Sequence, residues 1–219
     1  MSYFDGLYDG IRTTYKTPYF YSVTESVAPT TEPVTIKTVK EYLNIAHDAE
    51  NDTLILLIVA ARRVVENMIR KSIINRTLLA KFQGMERSYP LPMGPVNSIT
   101  SVKSVVDGVE TVLTDGTGYN SYGYEYDKTI KVTNYSTATT GNAIPEVHVV
   151  YTAGMGATAS AVPSNVRLAI LEQIKFMYES KDEFDRISSQ SSSNAKEMIL
   201  PSIAPRIREY LSEYLEFTF

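Results

Sequence analysis

The feature that most constrains the fold of this chain is a long apolar helix pattern between Asp52 and Lys71. The stretch contains no glycine or proline, and its apolar residues recur every three or four positions, which places them on one helix face. That face consists of Leu54, Leu57, Ile58, Ala61, Val65, Met68 and Ile69. Three further residues, Ile55, Leu56 and Val59, make the first two turns apolar almost all round. This pattern predicts a core helix that is covered on several sides.

The charges of the same helix gather toward its opposite side and its C-terminal end. They are Arg62, Arg63, Glu66 and Arg70, with Asn67 among them. About twenty residues at 1.5 Å per residue give a rod of roughly 30 Å, the width of a small domain. The arginines argue against a membrane span. We therefore expect a core helix.

Composition excludes several functional classes. The chain has 219 residues with 43% hydrophobic content, which is ordinary for a globular protein. Its net charge of −4 argues against tight, sequence-independent binding to duplex DNA, because such binding needs clustered Lys and Arg. The absence of cysteine excludes disulfides and thiolate chemistry. The first ten residues carry acidic side chains where a signal peptide has an apolar segment, so no signal peptide is expected.

Residues 1–32 form a distinct aromatic segment. Tyrosine and phenylalanine alternate there with Gly, Thr, Asp and Pro, without a period of 2 or 3.6 residues. Such a tract cannot build its own core, yet it is too aromatic for a solvated tail. We predict an extended arm that orders on the body of the protein or on a neighbouring subunit. The alternative is a disordered terminus.

Residues 33–180 are predicted to form the main domain. Thr35 is a suitable N-cap for a short helix that runs to about Leu43. The acidic connector HDAEND (47–52) then favours the positive N-terminus of the central helix, with Asn51 or Asp52 as the cap. The connector lacks the residue alternation of an EF-hand, so calcium binding is not expected.

The middle third of the chain has the pattern of a small antiparallel sheet. Asp107 and Gly108 form a hairpin signal between two β-prone runs. The predicted strands are 77–83, 96–106, 109–113, 128–134 and 146–151. A second core helix begins near Pro163 and runs to about Ser180. Gly154-Met155-Gly156, just before it, lacks the remaining residues of a phosphate-binding loop.

Residues 181–219 are predicted to be a linker and a C-terminal amphipathic helix. The linker contains the low-complexity run SSQSSSN (188–194). The helix spans about 205–216, with an apolar stripe formed by Ile207, Tyr210, Leu211, Tyr214 and Leu215. Such a stripe either packs back on its own domain or docks on a partner.

No catalytic, cofactor or metal site is predicted. The two histidines, His47 and His148, are about a hundred residues apart, and neither belongs to a metal-ligand pattern. Asp182, Glu183 and Asp185 are close in sequence, but an exposed helix end favours simple solvation of their charge. An enzyme would need His148 to face a carboxylate in a closed pocket.

The main alternative to an assembly protein is a binding module. The segment Tyr119–Tyr126 carries tyrosines at 119, 122, 124 and 126. Coplanar exposed rings could stack on a carbohydrate or contact a peptide. The predicted fold class in either case is α+β: a helical core made by the long central helix and a second core helix, a small antiparallel sheet, and the C-terminal amphipathic helix.

The order of four motifs resembles the head–tail connector, or head-completion adaptor, family of tailed bacteriophages. These motifs are Pro33-Val34-Thr35 before VKEYLNI (39–45), the long helix, LPMGPV (91–96) before SITSVKSV, and VHVVYTAGMG (147–156) before VPSNVRLAILEQIKFMYE (162–179). The resemblance covers about residues 33–180.

This resemblance implies a structural virion protein that is assembled in the host cytoplasm and located at the head–tail junction. Members of the family form a ring, twelve-fold in expectation, beneath the portal protein. The ring extends the DNA channel without binding DNA specifically, and it supplies the surface for tail or stopper proteins. We further expect the apolar stripe at 207–215 to dock on the portal, and the Arg62, Arg63, Glu66 and Arg70 face to pair with a neighbouring subunit. Deleting residues 201–219 should then abolish portal binding and leave the fold intact.

Overall fold

The computed structural model describes residues 19–84, 88–133, 145–189 and 203–215. Within these residues the chain has an α+β fold, as predicted. Its helices are α1 (Ile36–Leu43), α2 (Asn51–Ile69), α3 (Ser164–Ser189) and the single turn α4 (Ile207–Tyr210). Its strands are β1 (Tyr19–Val27), β2 (Arg76–Gln83), β3 (Ser88–Pro90), β4 (Val96–Val106), β5 (Val109–Leu113), β6 (Tyr119–Tyr122), β7 (Thr129–Val132) and β8 (Glu146–Ala153).

The strands form two antiparallel sheets. The larger has the order β1-β2-β8-β4-β5, and the smaller has the order β3-β7-β6. Along the central strand β8, buried residues such as Val147 and Val149 alternate with less buried ones such as His148. One face of the large sheet therefore covers a core, while the other carries polar side chains. The predicted hairpin is present, with Asp107 and Gly108 both at positive φ between β4 and β5.

Part of the predicted arm belongs to the large sheet. Strand β1 pairs with β2 along its length, from Tyr19 opposite Gln83 to Val27 opposite Thr77. This section of the arm thus orders on the body of its own chain, which is one of the two outcomes expected. Residues 1–18 lie outside the described part of the chain.

Helices α1, α2 and α3 pack around a core of their own. Its central residues are Val39, Leu54, Ile58, Ala61, Val65, Val166, Ile170 and Ile174. Thr35 caps α1 as predicted, since its hydroxyl accepts a hydrogen bond from the Thr38 N–H at 3.2 Å. The predicted cap of α2 is wrong: Glu50 occupies that position and makes no side-chain capping bond. No helix within the described ranges has both the length and the apolar character to cross a bilayer.

The helices and the large sheet keep separate hydrophobic cores. Three segments, residues 72–75, 93–97 and 153–156, lie between the two cores and are held together by close backbone contacts. Asn75 donates its N–H to Gly156 O at 3.0 Å, and Gly154 donates to Pro95 O at 2.9 Å. A Cβ on Gly154 would collide with the backbone of Asn75. The Gly-Met-Gly sequence is therefore explained by close backbone packing at this crossing.

The C-terminal segment packs on the helical core of its own chain. Ile207 and Leu211 are completely buried there, and the Ala204 N–H donates to the buried Gln173 Oε1 at 3.0 Å. Tyr210, Tyr214 and Leu215 are partly buried against the same core. The predicted helix at 205–216 is reduced to the turn α4, flanked by turns. The sequence left two outcomes open for this stripe: packing on its own domain or docking on a partner. In the structure the stripe packs on its own domain.

This packing does not fit the expectation that residues 201–219 can be deleted without harm to the fold, because the deletion would uncover the helical core. Leu211→Ala should lower the free energy of unfolding by about 2–5 kcal/mol, the usual loss for a buried leucine. Arg208→Ala, an exposed change in the same turn, should stay within about 0.5 kcal/mol of the parent. Urea unfolding followed by circular dichroism measures both. Equal stability of the two variants would contradict the packing described.

Candidate assembly surfaces and the charge network behind them

A network of charged side chains joins α2 to the large sheet and to the segment after β1. Arg62 donates from Nε and Nη2 to the two carboxylate oxygens of Glu32, at 2.7 and 3.2 Å. Its Nη1 donates to Glu66 Oε2 at 3.0 Å. Arg76 of β2 contacts the same Glu66 oxygen at 3.1 Å and Glu25 of β1 at 3.1 Å. The charges alternate in sign along the network, so each arginine lies between two carboxylates.

Glu66 is the centre of this network. Only 1% of its surface is exposed, and its second oxygen, Oε1, accepts the Ile73 N–H at 3.0 Å. Burial raises the pKa of Glu66, while the charges of Arg76 and Arg62 and the Ile73 hydrogen bond act in the opposite direction. Burial also acts to lower the pKa of Arg62, but Glu32 and Glu66 outweigh it, and the net pKa is raised.

Two of the four residues predicted to form an inter-subunit face belong to this network instead. Arg62 and Glu66 are buried and paired within the chain, so they do not lie on an outer surface. Arg63 and Arg70 are exposed as expected. The sequence pattern missed this division because Arg62 and Glu66 find their partners on other elements, which the periodicity of one helix does not reveal.

A line of exposed residues runs along the outside of α2. Its members, Asp52, Leu56, Arg63, Asn67 and Arg70, are three, four or seven residues apart and therefore share one side of the helix. Leu56 is 71% exposed, and Ile55 beside it is 49% exposed. The prediction that the first turns of this helix are covered on several sides is thus wrong for the single subunit. We call this line and Ile55 the outer face of α2.

An apolar recess adjoins the outer face of α2. Its cavity volume is about 440 Å³, and Ile55 and Ile58 of α2 form one wall. The segment after β1 contributes Val34, and Ala159 lies on the opposite wall. Exposed apolar side chains beside an apolar recess are typical of a surface that is covered in an assembly.

The edge strand β5 carries the second exposed apolar pair. Val109 and Val112 are each 66% exposed. Val112 lies opposite Lys103 on the polar face of the sheet, whereas Val109 lies opposite the buried Val106. Among the described residues β5 pairs only with β4, so the backbone groups along its other side form a free edge.

The tyrosine loop at Tyr119–Tyr126 is a third surface. Tyr122, Tyr124 and Tyr126 are exposed to different degrees, with Tyr124 at 88%. Tyr119, however, is buried in the core of the sheets, so a platform of all four rings is not formed. The Lys71 ammonium lies 5.1 Å from the centre of the Tyr126 ring. Tyr126 also borders a recess with Tyr214 and Leu215 of the C-terminal segment.

His148 faces a carboxylate, but on the polar face of the large sheet. Its Nε2 lies 2.7 Å from Glu146 Oε2, two residues away on the same strand. Lys81 and Lys103 are its neighbours on the adjacent strands. Within the described ranges, no three His, Asp or Glu side chains gather as a metal site would require. The side chains of Asp182, Glu183 and Asp185 lie outside the described part of the chain.

Comparison with protein families gives one match, and it spans most of the chain. The model of the head completion protein family matches residues 32–217. No protein with a curated description is significantly similar in sequence.

Several solved structures have the same fold. A chain from the neck of an empty GTA particle, computed with C6 symmetry, superposes with a TM-score of 0.64 at 18% identity. A chain from the virion of a native gene transfer agent (GTA) particle gives 0.63 at 18% identity. A chain from the neck of a native GTA particle, computed with C12 symmetry, gives 0.57 at 19% identity. Each match covers 91% of this chain and 97% of the other.

The neighbouring arginines of α2 provide a matched test of the charge network. Arg62→Ala leaves Glu32 and the buried Glu66 without their shared partner, so it should lower the free energy of unfolding by about 3–5 kcal/mol. Arg63→Ala removes an exposed charge and should change it by no more than about 0.5 kcal/mol. Denaturant unfolding of the two variants measures the difference. A small, equal effect would show that the network contributes little.

Proposed function

The chain belongs to the head completion protein family, and we propose that it is the structural subunit that joins the head to the tail of a phage-like particle. The family match over residues 32–217 carries this proposal. The family predicted from the sequence motifs is thereby confirmed. The three structural relatives come from the neck or the virion of GTA particles, which agrees with a place at the head–tail junction.

In this proposal the subunits form a ring beneath the portal protein and extend the DNA channel. Two relatives belong to necks computed with C6 and C12 symmetry, which supports a ring of six-fold or twelve-fold order. A ring subunit needs surfaces that remain open in the monomer. The outer face of α2 and the edge strand β5 are such surfaces. The net charge of −4 suits a channel through which DNA passes without being held.

We propose that the C-terminal segment contributes to portal binding through its outer side. Ile207 and Leu211 hold the segment on the helical core and are not available to a partner. Tyr210, Tyr214 and Leu215 are only partly buried and can contact a second protein at their free surfaces. Burial and the neighbouring Glu213 raise the pKa of Tyr214 to about 12.

We propose that the tyrosine loop and the N-terminal arm form the surface of the ring that contacts the tail. Tyrosine combines a large apolar ring with a polar tip and suits a hydrated protein–protein contact. The competing function is carbohydrate or peptide binding by Tyr122, Tyr124 and Tyr126, which are exposed together. A glycan array distinguishes the two: specific binding that Tyr124→Ala abolishes would favour the binding module.

The proposed function is tested by native mass spectrometry and electron microscopy of the purified chain, with and without its portal protein. We expect closed rings, or a ring that forms when the portal is added. A strictly monomeric chain without portal affinity would overturn the proposal.

A double substitution tests the role of the C-terminal segment. Tyr214→Ala with Leu215→Ala should weaken portal binding by about tenfold or more, because tyrosine is enriched among interface hot spots and a loss of about 1.4 kcal/mol is tenfold in affinity. The buried anchors Ile207 and Leu211 are kept, so the fold is retained. Lys175→Ala with Glu179→Ala, on the exposed side of α3, is the control and should bind normally. Portal affinity is measured by biolayer interferometry. Normal binding by the double variant would remove the segment from the portal contact.

A further inference from the structure

We infer that the outer face of α2 in one copy packs against strand β5 of the next copy. The contact joins the copies head to tail. This inference names the interface of the proposed ring and therefore rests on the proposed function. It uses two exposed aliphatic patches found among the described residues, on α2 and on β5.

The first patch lies on the N-terminal half of α2 and consists of apolar side chains that burial would stabilise. Leu56 is 71% exposed and Ile55 is 49% exposed, although both lie in a helix whose other side is fully packed. The adjoining recess of about 440 Å³ has apolar walls formed by Val34, Ile55 and Ile58. Leaving this surface in water costs roughly 25 cal/mol per Å² of apolar area, so covering it is favourable.

The second patch lies on a free sheet edge whose one charged residue, Glu110, pairs with Lys103 of β4 at 2.7 Å. Natural edge strands are commonly protected by charge, by proline, by a bulge or by a covering element. Strand β5 has no proline and pairs with β4 in regular register from Val102–Leu113 to Val106–Val109. It exposes a valine on each face, Val109 and Val112. Such an edge is prone to association unless a specific partner covers it.

The two patches belong to elements at opposite edges of the large sheet. The charge network ties α2 to β1 and β2, which form one edge of the five-stranded sheet. Strand β5 is the opposite edge, four strand spacings or about 19 Å away. The α2 patch of one copy therefore cannot cover the β5 patch of the same copy. A head-to-tail ring requires two different patches on each copy, whereas a two-fold dimer uses one patch twice.

The charges beside the patches complement each other. On α2, Arg63 lies two turns beyond Leu56, about 10 Å along the same side of the helix. On β5, Glu110 lies two residues from Val112 on the same face of the sheet, about 7 Å away. From Val102 to Asp115 the hairpin has one lysine, Lys103, against three acidic residues, Asp107, Glu110 and Asp115. The acidic partner strand suits the outer face of α2, whose C-terminal half is basic. A second copy of this chain thus supplies both the apolar and the charged counterpart.

Cysteine cross-linking tests the contact directly, because the chain has no cysteine of its own. Leu56→Cys and Val112→Cys are introduced into one chain, which is treated with a short bis-maleimide, alone and with the portal protein. The inferred contact yields a ladder of cross-linked multimers. Mixing copies that carry only one of the two cysteines should give cross-linked dimers and no longer species.

The controls separate this contact from other forms of association. Leu56→Cys with Tyr124→Cys replaces Val112, which is 66% exposed, by Tyr124, which is 88% exposed and lies on a surface not inferred to meet α2. This pair should cross-link at least tenfold less. Efficient dimer formation by Leu56→Cys alone would indicate a two-fold contact and overturn the inference. Rings that assemble without a 56–112 cross-link would overturn the inference and leave the proposed function standing. A chain that is monomeric with and without the portal would overturn both.

Charge reversal provides a second, independent measurement. Arg63→Glu alone and Glu110→Arg alone should each weaken association by on the order of tenfold, because each places like charges across the contact. Glu110→Arg also breaks the Lys103–Glu110 pair within the hairpin, and both double variants below share that loss. The chain carrying both changes restores opposite charges and should recover most of the assembly in sedimentation velocity. Arg70→Glu with Glu110→Arg is the matched control. Equal recovery in the control, or none in the Arg63 pair, would contradict the inferred register.

Discussion

The contact of Glu66 with Arg62 and Arg76 is the interaction on which the architecture depends. The helices bury one hydrophobic core and the large sheet another, and the two are joined by polar groups together with the close backbone crossing around Gly154. A buried carboxylate between two guanidinium groups has few alternative arrangements, because any displacement leaves a charge without a partner. The network therefore fixes how α2 is oriented relative to β1 and β2. That orientation keeps α2 beside the β1–β2 edge of the large sheet, and β5 forms the other edge.

Much of the fold could be predicted from local patterns. The periodicity of α2 and α3, the cap at Thr35 and the Asp107-Gly108 turn depend on residues close together in sequence, where propensity and periodicity are informative. Strand β1 was missed because its alternation is weak and its register comes from pairing with β2, about sixty residues away. The prediction of Asn51 or Asp52 as the cap is wrong because the helix already includes both residues, and the Asn51 side chain bonds to Asp48 and Lys40 instead.

The candidate surfaces were predictable only in part, for a related reason. Composition and motifs led to an assembly protein, and Arg63 and Arg70 are exposed as expected. The buried positions of Arg62 and Glu66 depend on Glu32 and Arg76, and the buried positions of Ile207 and Leu211 depend on α3. An apolar or charged helix stripe has the same pattern whether its own chain or another one covers it. Tertiary contacts alone decide between the two.

The position of Ile207 and Leu211 in the helical core also affects how the chain folds during translation. Helices α1, α2 and α3 precede residue 211 in the chain, so their shared core is covered only when this later segment packs on it. The central strand β8 inserts between β2 and β4, which both precede it. Each core is therefore completed by an element that is made after the elements it contacts.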